Sequence, residues 1–363
     1  MVVEKMNARK NKQRFKDLEL SVTLWPTFPH FEQFALDKRL SAIRLNSAMV
    51  GGDRLDNELT LAKKLQGAVP MYFDLKGRQL RIREVNADKS NLELTLNHPI
   101  EVKTPVEVLF KAGEDYAVLD RVVDGKHLIF DGGPEFMVYE GESLHIRDPS
   151  LNVTGPIFLD YEIEKIEKSM KAGFDKYFLS FVESQRDIDE FRELVGDSHI
   201  YAKIESKAGL RYVQNEFRRS DNLNLMAARG DMYVEVDKPH DILNAMKLII
   251  NKDPDAGVGS RMLLSVMDKP VPSCADLSEL AWLYDIGYRK MMLCDELCLK
   301  GDLLGTAVNV FESFRNSYAR RPAPYLLPES KQRSGYSGSV STEFGPDEPG
   351  TAQSWLRRFG FSK

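Results

Sequence analysis

The sequence predicts an α/β fold: a closed (β/α)8 TIM barrel with an all-β domain inserted after the third strand. Eight short apolar segments alternate with amphipathic stretches, a pattern typical of a parallel sheet covered by helices. Eight such units favour a closed barrel over an open, doubly wound sheet. After the third segment, a run that alternates apolar and polar residues and carries Asp-Gly and Gly-Gly turns predicts the β insertion.

The predicted barrel strands are spread over most of the chain. Helical periodicity is clearest over residues 160–172 and 187–195, after the insertion. Helices between consecutive strands are what a parallel barrel requires of its connections. The eight predicted strands are residues 20–24, 42–45, 69–73, 176–181, 199–204, 223–228, 262–266 and 290–293.

The domain organisation follows from where this alternation is interrupted. Residues 83–148 are predicted to form the β domain, which could cap the mouth of a barrel built from residues 18–82 and 149–318. Residues 1–17 are predicted as an N-terminal extension. Residues 319–363 turn to Ser, Gly and Pro and are predicted to be a largely disordered tail. Its apolar and basic end is compatible with docking to a partner and equally with packing on its own chain.

Composition excludes several classes of partner. The net charge is −5, so no basic excess favours nucleic acid or an anionic membrane surface. No stretch approaches the ~18–20 apolar residues of a membrane span, and the charged N-terminus is unlike a signal peptide. Three cysteines, all in the last third, argue against a disulfide framework and for a reducing compartment. We expect a cytoplasmic protein.

Charged and polar residues stand where the predicted strands end. Parallel strands of a barrel place these ends on one rim, where barrel enzymes carry their active sites. Lys203 and Glu205 point the same way, because side chains alternate along a strand. Alone, they would more often be a structural ion pair, and Asp231 would more often be a helix cap. Their convergence favours a site. The residues at strand ends are Arg44, Asn46, Asp74, Lys76, Lys203, Glu205, Asp231, Ser260 and Glu296.

One ammonium group and two carboxylates suit a hard divalent cation and an anionic, oxygen-rich substrate. Magnesium fits better than zinc, since it takes few carboxylates and keeps waters or substrate oxygens. None of the six histidines is among the candidates, which also disfavours zinc. Backbone amides of Gly230 and Asp231, at a predicted helix start, could hold a substrate carboxylate.

Four motifs, in order and spacing, resemble those of the pyruvate kinase family. The β insertion also lies where that family has its lid domain, and the resemblance covers about residues 18–318. The motifs are Arg44-Leu45-Asn46, Asp74-Leu75-Lys76-Gly77-Arg78-Gln79-Leu80-Arg81, Lys203-Ile204-Glu205 and Ala228-Arg229-Gly230-Asp231.

The resemblance implies a role for each motif residue. Glu205 and Asp231 would bind Mg²⁺ or Mn²⁺, and Lys203 would stabilise an enolate and the phosphoryl group in transit. Arg44 would contact the phosphate as a catalytic residue. Ser260, which keeps the hydroxyl of a further motif, would be a catalytic residue and would bind substrate together with Gly230 and Asp231. The resemblance also places Asn46 and Asp74 at a monovalent cation and Arg81 near the nucleotide phosphates.

The chain also departs from the family pattern. Ser47-Ala48-Met49 replaces Phe-Ser-His, and Leu75 replaces a threonine, so K⁺ is disfavoured and ligands for ADP or ATP are lost. Arg261 adds a charge beside Ser260, and Asp295 stands within an altered Ser-Gly-Glu-Thr motif. The family's C-terminal regulatory domain is expected to be absent. If the chain forms a homo-oligomer, a dimer is then favoured over a tetramer, and a monomer is equally compatible.

Three functions remain open from the sequence. The first is a minimal kinase that moves phosphate between phosphoenolpyruvate and ADP. The second is a nucleotide-independent lyase or transferase that uses a pyruvate enolate or phosphoenolpyruvate. The third is a non-catalytic protein that senses such a small 2-oxo acid or docks a partner. The pattern of retained and changed residues favours the first two, and fold alone does not choose between them.

Overall fold

A computed structural model describes residues 17–50, 54–87 and 92–319 of the 363-residue chain. The predicted N-terminal extension and tail lie outside these ranges, except for Asp17 and Ala319. The first part of the chain alternates strand and helix. It consists of β1 (Glu19–Thr23), α1 (Phe31–Ala35), β2 (Ala42–Asn46), α2 (Leu55–Leu65) and β3 (Met71–Leu75).

The next segment is all-β. Five of its strands form one antiparallel sheet, and two short strands pair separately. One face of the sheet buries its own apolar cluster, which includes Leu94, Leu119 and Phe130. The strands are β4 (Ile82–Ala87), β5 (Leu92–Leu96), β6 (Ile100–Glu101), β7 (Val106–Phe110), β8 (Asp115–Val123), β9 (His127–Asp131) and β10 (Asn152–Val153).

The chain then returns to alternating strands and helices. The helices start at recognisable signals. For example, Ser184 and Asp187 form a capping box at the start of the second helix of this part. The elements are α3 (Asp160–Lys171), β11 (Lys176–Leu179), α4 (Gln185–Val195), β12 (His199–Ile204), α5 (Lys207–Asn215), β13 (Leu223–Ala228), α6 (Arg229–Glu235), α7 (Asp241–Lys252), β14 (Gly257–Gly259), α8 (Cys274–Ile286), β15 (Lys290–Met292), α9 (Asp295–Cys298) and α10 (Gly301–Phe314).

Eight parallel strands close into a barrel in the order β1-β2-β3-β11-β12-β13-β14-β15, with β15 paired to β1. The predicted (β/α)8 barrel is therefore confirmed. Strands such as β13 are buried along their whole length, because helices cover the outer face and side chains fill the lumen. Among helices of the described ranges, none is long and apolar enough to cross a bilayer.

The seventh predicted strand was wrong. We expected it over residues 262–266, but β14 is Gly257–Gly259, and Leu264–Met267 forms a single 3-10 turn. A Cβ at Gly259 would lie 2.9 Å from the Met226 Cε and 3.3 Å from the Met292 Cβ, so the methionines of the neighbouring strands pack closely against this glycine. A Gly-Val-Gly strand carries little hydropathic signal, while the more apolar residues after it pack in a loop.

The lower lumen is filled by aromatic residues and methionine. Tyr72, Phe178 and Tyr201 form ring contacts with one another, and Met226 and Met292 pack against them. These side chains close the barrel beneath the carboxyl ends of the strands. Polar residues at the rim therefore stand on an apolar floor rather than over an open channel.

Candidate active site

A cavity of about 180 Å³ opens at the carboxyl ends of the barrel strands. Met226 and Met292 form part of its wall, above the aromatic layer. Several strand-end residues predicted from the sequence converge here, because a parallel barrel brings these ends together. Among the residues that line the cavity are Arg44, Lys203, Glu205, Gly230, Asp231, Ser260, Asp295 and Glu296.

Lys203 and Glu205 stand at the end of β12 and are both buried. The Lys203 Nζ lies 3.0 Å from the Glu205 Oε1 and donates to the Ser180 Oγ at 2.8 Å. Burial alone would lower the pKa of Lys203, but the carboxylates of Asp74 and Glu205 raise it above its ordinary value. Lys203 is therefore a fixed cation at the base of the cavity.

Glu205 and Asp231 face each other in the same cavity. The Glu205 Oε2 accepts a hydrogen bond from the backbone N–H of Phe181 at 2.7 Å. Burial raises the pKa of Glu205, and the nearby charge of Asp231 adds to the rise against the opposing effect of Lys203. Two carboxylates that line the same small cavity repel each other unless a proton or cation lies between them.

This donor set fits a divalent cation that completes its shell from elsewhere. Within residues 17–50, 54–87 and 92–319, no three His, Cys, Asp or Glu side chains are grouped to hold a metal by themselves. Two carboxylates suffice for magnesium, which usually takes its other ligands from water and substrate oxygens. The arrangement at Glu205 and Asp231 thus suits a metal that binds together with substrate.

The β insertion contributes His145 to this site. Its Nε2 lies 3.5 Å from the Asp231 Oδ1, and its Nδ1 lies 2.8 Å from the Glu235 Oε1. Burial would lower the pKa of His145, but these two carboxylates raise it to about 9. The histidine is therefore a cation at neutral pH and a partner of Asp231, whereas the sequence had placed no histidine at the site.

Arg44 is held between two carboxylates. Its Nε donates to the Asp74 Oδ2 at 2.7 Å, and its NH1 donates to the Asp295 Oδ1 at 2.5 Å. The same NH1 also donates to the Thr23 Oγ1 at 3.1 Å. Burial opposes the charge, yet Asp295 and Asp74 raise the pKa of Arg44 well above its ordinary value. Each nitrogen of this guanidinium group thus has a partner within the protein, since NH2 also donates to Asp74.

Asn46 and Asp74 lie behind Arg44. The Asn46 side-chain amide donates to the Asp295 Oδ2 at 2.8 Å, and its carbonyl oxygen accepts from the backbone N–H of Ala48. Asp74 is fully buried and receives the Lys76 Nζ at 3.1 Å as well as Arg44. Burial would raise the pKa of Asp74, but these cations and Lys203 hold it far below its usual range. Asn46 and the Asp74 Oδ2 are therefore engaged with other residues of the chain, whereas the Asp74 Oδ1 is buried without a hydrogen-bond partner.

Gly230 and Ser260 form the opposite wall. Gly230 lies in the first turn of α6, and a Cβ on it would lie 3.2 Å from the Ser260 Oγ. Arg229 fixes this wall from behind, because it pairs with Glu279 and donates to the carbonyl of Ser260. The Ser260 hydroxyl is thereby held next to the start of a helix.

Comparison with known proteins finds relatives of this chain. A family model described as "Pyruvate kinase, barrel domain" matches residues 140–302, which include Lys203, Glu205, Asp231 and Ser260. Over its barrel, the chain is similar to the pyruvate kinase family. The resemblance stated from the motifs is confirmed.

Three curated relatives illustrate the extent of the match. A pyruvate kinase of Methanocaldococcus jannaschii is 28% identical over 77% of this chain and 64% of its own length. One from Thermoplasma acidophilum is 26% identical over 69% of this chain and 49% of its own length. One from Agrobacterium vitis is 29% identical over 66% of this chain and 54% of its own length. The chain thus spans about half to two thirds of the length of these pyruvate kinases.

Arg81, the predicted nucleotide contact, lies beside the cavity rather than in its wall. Its NH2 donates to the Gln79 Oε1 at 2.8 Å, and its NH1 donates to the carbonyl of Gly141 at 2.5 Å. The Gln79 side-chain amide lies 3.4 Å from the Asp231 Oδ2. Arg81 is thus joined to the Asp231 carboxylate through one neutral side chain.

The structure adds four residues to those read from the sequence: Thr23, Ser180, Asp295 and His145. Thr23 and Asp295 lie at strand ends, and Asp295 had been noted only as a change of motif. Ser180 follows β11, where a strand-end search that included hydroxyl groups would have found it. His145 carried no local signal, because its position depends on how the insertion folds back onto the barrel.

Proposed function

We propose that this chain is an enzyme that acts on pyruvate or phosphoenolpyruvate through an enolate, and that its first candidate reaction is transfer of a phosphoryl group between phosphoenolpyruvate and ADP. One observation carries the proposal. The Lys203 ammonium group is fixed by Ser180 and Glu205 at the base of a small cavity, where Glu205 and Asp231 face each other. The names of the curated relatives support the same reaction.

In this proposal each side chain has a defined task. Glu205 and Asp231 would hold Mg²⁺ or Mn²⁺, which supplies positive charge at the substrate oxygens when bound. Lys203 stabilises negative charge as it develops on the enolate oxygen. It is suited to this because its ammonium group is already positioned and partly desolvated. No reorganisation of water is then needed at the moment of reaction.

The opposite wall would orient the substrate. The backbone amides of Gly230 and Asp231 and the Ser260 hydroxyl surround the space where a substrate carboxylate would lie. Phosphoryl transfer depends on such positioning and on neutralised charge more than on covalent catalysis. Arg81, beside the cavity and without a carboxylate among its hydrogen-bond acceptors, is the residue we propose for contact with nucleotide phosphates.

A second candidate function is supported by a specific observation. Arg44, the expected phosphate ligand, is already engaged by Asp74 and Asp295. A nucleotide-independent lyase or transferase would use the same enolate chemistry without calling on Arg44 for a phosphoryl group. A cytoplasmic location, a homo-oligomer and a non-catalytic role stay predictions from the sequence.

A thermal-shift matrix separates these functions. The purified protein is heated with Mg²⁺ alone and with Mg²⁺ plus oxalate, pyruvate or phosphoenolpyruvate, each with and without ADP. A ligand that binds the folded state raises the melting temperature by mass action. Kinase function predicts a shift with ADP and ADP-dependent release of pyruvate from phosphoenolpyruvate. Stabilisation by oxalate or pyruvate with no response to ADP favours the second function.

Lys203→Met tests both enzymatic functions. We expect a loss of turnover of about a hundredfold to a thousandfold, as for removal of a main electrostatic stabiliser. Because loss of the Lys203 cation leaves the buried Glu205 carboxylate without its ion-pair partner, at a cost of about 3–5 kcal/mol, folding is checked by circular dichroism. Ser180→Ala keeps the cation but removes one contact that positions it, and should lower kcat more than it raises KM. Lys207→Met, at the start of α5 outside the cavity, is the control. Unchanged turnover in Lys203→Met contradicts both enzymatic functions.

A further inference from the structure

Asp295 is fixed in the cavity by three donors. Its Oδ1 accepts from the Arg44 NH1 at 2.5 Å and the Thr23 Oγ1 at 2.8 Å, and its Oδ2 accepts from the Asn46 Nδ2 at 2.8 Å. The side chain remains 30% exposed and lines the cavity. Burial would raise the pKa of Asp295, but Arg44 and the other donors lower it, so the group is an anion at neutral pH. The cavity therefore contains a resident carboxylate on the face of Arg44 that lies away from Asp74.

We infer that Asp295 is a specificity-determining residue whose carboxylate occupies the anion position on Arg44, so that the cavity selects an unphosphorylated 2-oxo acid over its phosphorylated enol. The inference rests on the proposed Lys203, Glu205 and Asp231 site, and between the two candidate reactions it favours the nucleotide-independent lyase or transferase over phosphoryl transfer. It concerns which form of the substrate class binds best there. Arg44 has two carboxylate partners, and the other one, Asp74, is completely buried beneath it.

A phosphoryl group meets two obstacles at this position. To contact Arg44 from the cavity, it must displace Asp295 from a guanidinium group whose three nitrogens already donate within the protein. Once displaced from Arg44, the Asp295 carboxylate would still line the cavity. It would then place a negative charge next to a multiply charged anion. Like charges in a partly desolvated site act as a negative determinant of specificity.

An unphosphorylated 2-oxo acid avoids both obstacles. Its carboxylate and keto oxygen require only the Lys203 ammonium, the opposite wall at Gly230 and Ser260, and the cation held by Glu205 and Asp231. None of these five residues hydrogen-bonds to Asp295.

Titration calorimetry on the full chain with Mg²⁺ tests the inference. The probes are oxalate, pyruvate, phosphoenolpyruvate and, in the presence of oxalate, inorganic phosphate. In the unmodified chain we expect oxalate and pyruvate to bind more tightly than phosphoenolpyruvate, and phosphate not to bind beside oxalate. Asp295→Asn keeps the side-chain shape and removes the charge. It should tighten phosphoenolpyruvate binding at least about tenfold, equal to about 1.4 kcal/mol, and change the Kd of oxalate less than about threefold.

Glu296→Gln is the matched control, since it removes one negative charge from the next residue, which lines the same cavity but is not a partner of Arg44. Asp295→Ser is a second variant, in case the asparagine side chain disturbs folding. The inference is overturned if Asp295→Asn and Glu296→Gln shift phosphoenolpyruvate binding alike, or if the unmodified chain binds phosphoenolpyruvate as tightly as oxalate. Absence of oxalate and pyruvate binding in the unmodified chain overturns the proposed function as well, so the two failures are distinct.

Discussion

Replacement of Glu162 by glutamine should make the protein more stable at neutral and alkaline pH. Glu162 lies in the first turn of α3 and is only 2% exposed. Its Oε1 accepts the backbone N–H groups of Lys76 and Gly77 at 3.2 and 3.1 Å, while its Oε2 is buried without a hydrogen-bond partner. The carboxyl group thus anchors the turn after β3. When it is ionised, however, a buried negative charge destabilises the fold.

The size of the expected gain in stability follows from the pKa of Glu162. Burial raises the pKa of Glu162 from 4.5 to about 7. Between these values the folded state binds more protons than the unfolded state, so the free energy of unfolding falls as pH rises through this window. Each pKa unit is worth about 1.4 kcal/mol, so ionisation of Glu162 costs the fold up to about 3 kcal/mol above pH 7. Glutamine keeps an oxygen for both N–H groups and carries no charge.

Urea denaturation of both proteins between pH 4.5 and 8.5 measures this effect. We expect Glu162→Gln to be more stable by about 1–3 kcal/mol at pH 8, with the difference disappearing towards pH 4.5. Glu167→Gln, at an exposed position of the same helix, is the control for a lost surface charge and should change stability by less than about 0.5 kcal/mol. Equal stability of Glu162→Gln and the unmodified protein at pH 8 would refute the reasoning.

Two further predictions concern the backbone and the thiols. Gly77 has φ +51°, and a Cβ there would lie 3.0 Å from the carbonyl oxygen of Ser180. Gly77→Ala should therefore destabilise the fold by about 2–3 kcal/mol, at least 1 kcal/mol more than Gly141→Ala, whose φ is +87° but whose Cβ would meet nothing within 4 Å. Equal losses in urea denaturation would show that the contact with Ser180 is harmless. Of the three cysteines, Cys274 is exposed, whereas burial raises the pKa of Cys294 to about 12 and also raises that of Cys298. A chromogenic disulfide reagent at pH 8 should react rapidly with one thiol in the native protein and with all three in urea; rapid reaction of more than one native thiol would contradict this burial.

Sequence periodicity was sufficient for most of the barrel because its strands are buried on both faces. The Lys203-Ile204-Glu205 segment was readable for the same reason: a period of two fixes which side chains share the lumen. The prediction of the seventh strand failed because β14 is a Gly-Val-Gly segment, and the side chains of Met226 and Met292 from neighbouring strands pack against its Gly259. Packing between neighbouring strands leaves no signal in local hydropathy.

Contacts between site residues were harder to predict from the sequence than the placement of each residue at the site. The sequence placed Arg44 at a strand end, but its engagement by Asp295 depends on β15 closing against β1. His145 lies in the insertion and meets Asp231 only because the insertion folds back over the rim. Such contacts join residues distant in the chain, and no local pattern encodes them. The roles assigned to the site residues and the exact domain limits stay predictions.

The contact between His145 and Asp231 has a thermodynamic consequence. The imidazolium group belongs to the β insertion, and the carboxylate belongs to the barrel, so the charge balance at the cavity depends on where the insertion sits. By reciprocity, any cation that competes with His145 for Asp231 weakens one link between the two parts of the chain. Conversely, if the insertion moved away from the barrel, the binding of that cation to Asp231 would become more favourable by the same free energy. Cation binding in the cavity and docking of the insertion on the barrel are therefore thermodynamically coupled.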